Sequence, residues 1–335
     1  MVSIGLPGVL RHGRRLASLD IARGLAVLAM VVYHLSWDLS AYGIVAIDVV
    51  NDPGWKTFAR SIAGTFLALV GFSLVLAAEK GFRREAYLRR LAIIVVAALL
   101  VSAGTYWFMP ESFVFFGILH EIALASVLAL PFLYAPVVVT ALASIAVLVL
   151  PGFFTSDAFD SPFLAWTGLA ANPPATVDYV PVFPWFGVVL AGIVAGRLYL
   201  AYGDGFLARF SPGGFFWNLF AAMGRWSLAI YLIHQPVLIG AIYLITAFIG
   251  VSDSALGDRF VNQCAVNQRS MGMAADLAPR FCSCFYAESR QSGLAPKILS
   301  GALDTTEEAK VQNLADICIG RISEEPPAAA GAAQP

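Results

Sequence analysis

The sequence predicts an all-α, polytopic transmembrane helical bundle of about seven spans. Three observations carry that class. Of the 335 residues, 59% are hydrophobic and 13% charged, with a mean hydropathy of +0.76, whereas a soluble domain carries roughly 25% charge. Apolar runs recur along the chain at lengths near the ~20 residues that cross a ~30 Å hydrocarbon core. Basic and acidic residues fall in alternate connections, the asymmetry that orients membrane proteins. The formal net charge of -1 decides nothing beside that distribution, and no basic stripe calls for a nucleic-acid partner.

Residues 1–17 form a cytoplasmic N-terminal segment, MVSIGLPGVLRHGRRLA, with basic residues ahead of an apolar run too long for a cleaved signal. Helix one is expected over 19–37 and helix two over 57–78. The loop between them carries Asp38, Asp48 and Asp52, while the connection after helix two carries Lys80, Arg83, Arg84, Arg89 and Arg90. Helix three follows at 91–108, helix four at 113–131 after a Met109-Pro110-Glu111 turn, and helix five at 135–150 between Pro136 and Pro151. The loop 151–179 is acidic, with Asp157, Asp160 and Asp178, and has room for a short re-entrant piece at 162–171. Helix six, 180–200, holds prolines and Gly187, Gly192 and Gly196, which predict a bent or closely packed helix. Arg197 stands near its far end. The apolar 215–223 predicts a short helix, and helix seven runs over 226–250. Counting 215–223 as a span gives the alternative total of eight.

With seven spans, every basic loop falls on one side and every acidic loop on the other. That places the N-terminus inside and the C-terminus outside. The domain boundaries are therefore 18–250 for the membrane domain, 251–323 for a polar cysteine-bearing region, and 324–335 for a disordered Pro/Ala tail. Cys264, Cys282, Cys284 and Cys318 are an even set on the outer side, so disulfides are expected, with three full pairings open. Their spacing lacks the paired C-x2–4-C knuckles of structural zinc sites, and no metal is expected.

Within helix one, Asp20, Arg23, Val27, Met30, His34 and Asp38 share a face at ~100° per residue. Ionisable groups at membrane depth face a protein interior or a watery cavity, which makes this face a candidate site wall. The plainer alternative is an arginine snorkelling to headgroups and a histidine bonded to a neighbour. His34 has the chemistry of a general base, and Asp38, one turn on, that of its orienting carboxylate. His120 and Glu121 are further pocket candidates, with structural pairing as the alternative. So are Tyr231 and His234, which share a face with Ser227 near Pro236; that proline frees the Leu232 carbonyl from its helical bond.

These stretches, SLDIARGLAVLAMVVYHLSWDL, FGILHEIALASVLALPF, DYVPVFPWFGVVLAGIVAGR and GRWSLAIYLIHQPVLI, resemble in that order the bacterial branch of the heparan-α-glucosaminide N-acetyltransferase catalytic-domain family. The resemblance covers about 15–245. The first and last stretches are also similar to membrane acyltransferases that O-acetylate surface glycans, in which an early D-x-x-R-G helix ends in a histidine. Asp20, Arg23 and Gly24 match that motif, and His34 matches its histidine, although lysosomal members place theirs in the following loop. The resemblance implies an acyltransferase of the inner membrane that draws acetyl-CoA from the cytoplasm and serves an amino sugar, glycan or similar periplasmic acceptor. It implies Asp20, Arg23, Arg197 and Arg225 at the CoA end, with His34 and Asp38 at the reacting end. Two rival classes stand beside it, a transporter or channel and a non-catalytic anchor for the tail.

Overall fold

The computed structural model describes residues 16–41, 44–45, 47–50, 52–79, 81–202, 213–249, 253–300 and 305–324. The expectations for segment 1–15 and for the tail beyond 324 lie outside the described residues. The class is all-α, 79% helical with no strand among the described residues. The described residues fall into two compact units, one drawn from 1–35 and 50–237, the other from 36–49 and 238–335.

Helix α1 is Ala17–Ala41, α2 Pro53–Glu79, α3 Arg84–Phe108, α4 Ile118–Leu128, α5 Val137–Val149, α6 Val182–Tyr202, α7 Phe215–Arg225 and α8 Ser227–Ile249. Five of these (α1, α2, α3, α6 and α8) are long and apolar enough to cross a membrane, and α4 and the α5 region are shorter apolar helices. Local chemistry sets several ends. Asp52 accepts the Trp55 N–H at 3.0 Å with Pro53 at the first helical position, so α2 starts four residues before the expected point. The α3 helix takes in the basic first turn from Arg84.

Helix four is the main correction in the membrane part, since 113–117 is not helical. Thr105 Oγ1 accepts the Val114 N–H at 2.9 Å and Ser102 Oγ donates to the Val114 carbonyl at 2.6 Å. Phe116 bridges in parallel to Tyr179. These partners satisfy the backbone in an extended form, which the apolar run VFFGIL does not betray. The expected re-entrant piece at 162–171 is likewise a single 3-10 turn, Ala165–Thr167, closed by Gly168 at φ 87°.

In the first unit the neighbours alternate in direction. Arg23 meets Ser73 at one end of α1 and α2 while Tyr33 lies by Trp55 and Phe58 at the other, so the two are antiparallel. The α3 and α4 helices are antiparallel too, joined by Ser102 with His120 and by Tyr87 with the Ser126 carbonyl. Helices α5 and α6 meet through Ser144 with the Gly187 carbonyl and Arg197 with the Ala135 carbonyl. By contrast α2 and α6 run parallel, Ala68 beside Gly192 and Phe72 beside Tyr199. Gly71 lies directly on the Val189 carbonyl and Gly192 on that of Ala68, so the two backbones touch. The core between them holds Leu67, Leu74, Val189, Leu190 and Ile193.

The 251–323 region is more structured than a polar tail. It folds as α9, Asp253–Ser270; α10, Leu277–Gln291; α11, Ala295–Ser300; and α12, Thr305–Glu324. Cys264 is bonded to Cys282 and Cys284 to Cys318, each with Cα atoms 5.8 Å apart. Ala265, Ala278, Phe281, Cys282, Cys318 and Ile322 form its small core, and Arg321 pairs with Glu288 at 2.9 Å.

Candidate functional site

Two polar clusters sit at opposite ends of α1. At the His34 end, the ring centroid of His34 lies 4.9 Å from that of His234 on α8, and Tyr33 packs against His34 edge-on at 5.5 Å. His234 is buried, and its Nδ1 is 2.7 Å from the Tyr231 carbonyl. A carbonyl only accepts, so Nδ1 carries the proton and Nε2 of the neutral ring carries a lone pair. That Nε2 is buried with no hydrogen-bond partner among the described residues.

Tyr231 also reaches outward through its hydroxyl, which donates to Asp178 Oδ2 at 3.5 Å. The same oxygen accepts the Ile118 N–H at 3.0 Å, so Asp178 closes the N-terminus of α4. Burial pushes the Asp178 carboxyl up, and the Ile118 N–H and Tyr231 hydroxyl pull it part of the way back. Asp178 belongs to this constellation although the sequence reading placed it only in an acidic loop. Its place in the DYVPVFPWFG stretch was the available signal.

His120 has a different occupation. Its Nδ1 accepts the Gly117 N–H at 3.3 Å, which leaves Nε2 as the protonated nitrogen, 3.2 Å from Ser102 Oγ. Both nitrogens are thus engaged, one in capping α4 and the other in tying it to α3. Glu121, its neighbour, is wholly buried, and neither carboxylate oxygen has a partner among the described residues.

The other cluster surrounds Arg23. Its guanidinium donates to Ser73 Oγ at 2.6 Å and to Asp20 Oδ1 at 3.3 Å, and Arg90 of α3 lies within electrostatic reach. Here α1 and α7 cross at backbone contact: Gly24 lies on the Phe220 carbonyl and Gly224 on that of Asp20. The glycine of the D-x-x-R-G stretch is therefore where α7 seats. Arg225 directly follows this crossing and is exposed. Arg197 stands beside Gly196, at the level of Val75 on α2, and donates to the Ala135 carbonyl. Arg23 and His34 are eleven residues apart, ~16 Å along the helix.

Asp38, expected to orient His34, is wholly buried one turn beyond it in α1. The ring that faces His34 belongs to His234, a partnership that no spacing along one helix could reveal. Ser73 and Ser102, which anchor Arg23 and His120, also escaped the sequence reading; both are small hydroxyls in apolar helices. Among the described residues no three His, Cys, Asp or Glu side chains gather as a metal site.

The family model described as heparan-alpha-glucosaminide N-acetyltransferase, catalytic, matches residues 15–236. No curated protein and no solved structure matches the chain. The matched range runs from just before α1 to Pro236 in α8, and so takes in both clusters.

Proposed function

Because the chain belongs to the heparan-α-glucosaminide N-acetyltransferase catalytic family, whose activity is of the membrane acyltransferase type, we propose that it moves an acetyl group from acetyl-CoA to an amino sugar, glycan or similar acceptor across the bilayer. The observation that carries this reading is the separation of polar groups along α1, with the Arg23 guanidinium and its partners at one end and a histidine pair ~16 Å away at the other. An extended pantetheine arm matches that distance. Arg23, with Arg197 and Arg225, holds the phosphate end of CoA through charge-assisted hydrogen bonds. The basic loops support a cytoplasmic position for that end, and the acidic loops support a periplasmic one for the acceptor near His34.

At the far end, the acceptor nitrogen or oxygen bonds to the acetyl carbon while the carbon–sulfur bond of the thioester breaks. His34 takes the proton the acceptor loses, and that proton leaves on the CoA sulfur. The test is release of CoA from radiolabelled acetyl-CoA by purified protein in liposomes, over a panel of amino sugars. Transfer of label to an acceptor, lost in folded His34→Ala by about 10²–10⁴-fold with acetyl-CoA binding intact, is the expected result. No transfer to any acceptor, together with uptake of labelled solute by the same liposomes, would install the transporter reading instead.

A further inference from the structure

We infer that His234 is the positioning residue of the His34 base: it holds the His34 ring and offers the lone-pair nitrogen to which His34 relays its proton. The inference rests on the acyl-transfer reading and adds a role for α8. Four observations converge on it. The two rings are in contact at 4.9 Å between centroids. The Nδ1–H of His234 is committed to the Tyr231 carbonyl at 2.7 Å, which fixes the tautomer and leaves Nε2 as the basic atom. Nε2 is buried and without a partner among the described residues. A buried acceptor without a partner is costly to keep, and a proton arriving from the ring beside it would offset that cost.

The fourth observation is the mounting. Tyr231 supplies the carbonyl through its backbone and a tether through its hydroxyl, held by Asp178, which is itself held by the Ile118 N–H. The His234 ring is thus referenced to α8, to the 150–181 connection and to α4 together. His120 has no such freedom, because both its nitrogens are already engaged.

The proton accounting closes. The acceptor's proton bonds to one nitrogen of His34 as the proton on the other nitrogen passes to His234 Nε2. His234 becomes an imidazolium that still donates Nδ1–H to Tyr231. Collapse of the CoA thiolate to the thiol draws the proton back through the same pair, and both rings return to neutral.

His234→Asn is the informative variant, since its amide N–H stands near the Nδ1 position and keeps the donor to Tyr231 while Nε2 is lost. The expected result is a fall in kcat of about 10²-fold with the acetyl-CoA KM within twofold of wild type. The double variant His34→Ala/His234→Asn should be no slower than His34→Ala alone, because two groups on one proton path cannot be lost twice. A purely structural role would instead multiply the two losses. All variants are first matched to wild type in thermal unfolding, and His234→Gln replaces His234→Asn if the latter does not fold. If His34→Ala is inactive but the folded His234 variant turns over at wild-type rate, or the double variant is slower by the product, the inference is overturned and the function stands. If His34→Ala itself keeps wild-type turnover, the acyl-transfer reading fails first.

Discussion

The crossing of α1 and α7 makes the most quantitative prediction. A methyl group on Gly24 would place its carbon 2.7 Å from the Phe220 carbonyl carbon, with the oxygen nearer still, and one on Gly224 would stand 2.7 Å from the Asp20 carbonyl carbon. Ordinary contact begins near 3.4 Å, and backbone cannot rotate aside as a side chain does. The helices must part by more than an ångström to relieve the oxygen contact. Overpacking of this kind costs about 1–3 kcal/mol, and the top of that range applies to a backbone contact. Alanine returns about 1 kcal/mol over glycine in a helix interior. Gly24→Ala should therefore lose about 2 kcal/mol, seen as a fall of roughly 4–8 °C in melting temperature for a unit of this size. Gly104 in α3 is the control, because nothing lies within 4 Å of its added carbon; Gly104→Ala should be neutral or gain up to about 1 kcal/mol. Once Gly24→Ala has opened the seam, Gly224→Ala should cost less than alone, giving a coupling of about 1 kcal/mol. Melting of Gly24→Ala at or above wild type, or full additivity of the pair, would refute the close crossing.

Other outcomes follow from the same structure. Arg23→Gln should weaken acetyl-CoA binding by about 1.5–3 kcal/mol with kcat little changed, measured by ligand titration of folded protein; an unchanged Kd assigns Arg23 to the Asp20 and Ser73 contacts alone. Asp178 is held above the ordinary carboxylate range, so its contribution is present at low pH and lost as pH rises through its shifted value. Asp178→Asn, which still accepts the Ile118 N–H, should gain in melting temperature relative to wild type as pH rises from 4 to 7, and a flat difference counts against the burial account. Peptide mapping should return Cys264 with Cys282 and Cys284 with Cys318, and reduction should destabilise the α9–α12 region by roughly 3–4 kcal/mol per bond for loops of this length; recovery of a Cys264–Cys284 peptide breaks this pairing. An alkaline phosphatase fused after residue 251 should be active, and an inactive one would invert the orientation.

The long membrane helices were legible because apolar length alone decides them: α1, α2, α3, α6 and α8 each overlap the expected run. Residues 113–117 were not, since their extended form depends on Ser102 and Thr105 of another helix. The α9–α11 part of the 251–323 region escaped for a related reason. Its helices are polar and draw their order from two cross-links and a six-residue core rather than from periodicity. At the site, His34, His234, Tyr231 and Arg23 stood out as polar residues in apolar helices. What the sequence could not convey was partnership. The i, i+4 spacing put Asp38 one turn from His34, but no spacing along one helix could name the His234 ring, which comes from two hundred residues further along. His120 and Glu121, adjacent in sequence, part company in the structure, one fully engaged and the other without a partner.

The backbone contact between α2 and α6 bears on permeability. Gly71 on the Val189 carbonyl and Gly192 on the Ala68 carbonyl leave no gap wide enough for a water molecule. A bilayer that stores a proton gradient is discharged by any wetted seam through a protein that spans it. A bundle that holds a histidine pair and a cationic cluster gains from at least one partition that conducts nothing, and one glycine from each helix brings the two backbones closer than any interlocking of larger side chains allows.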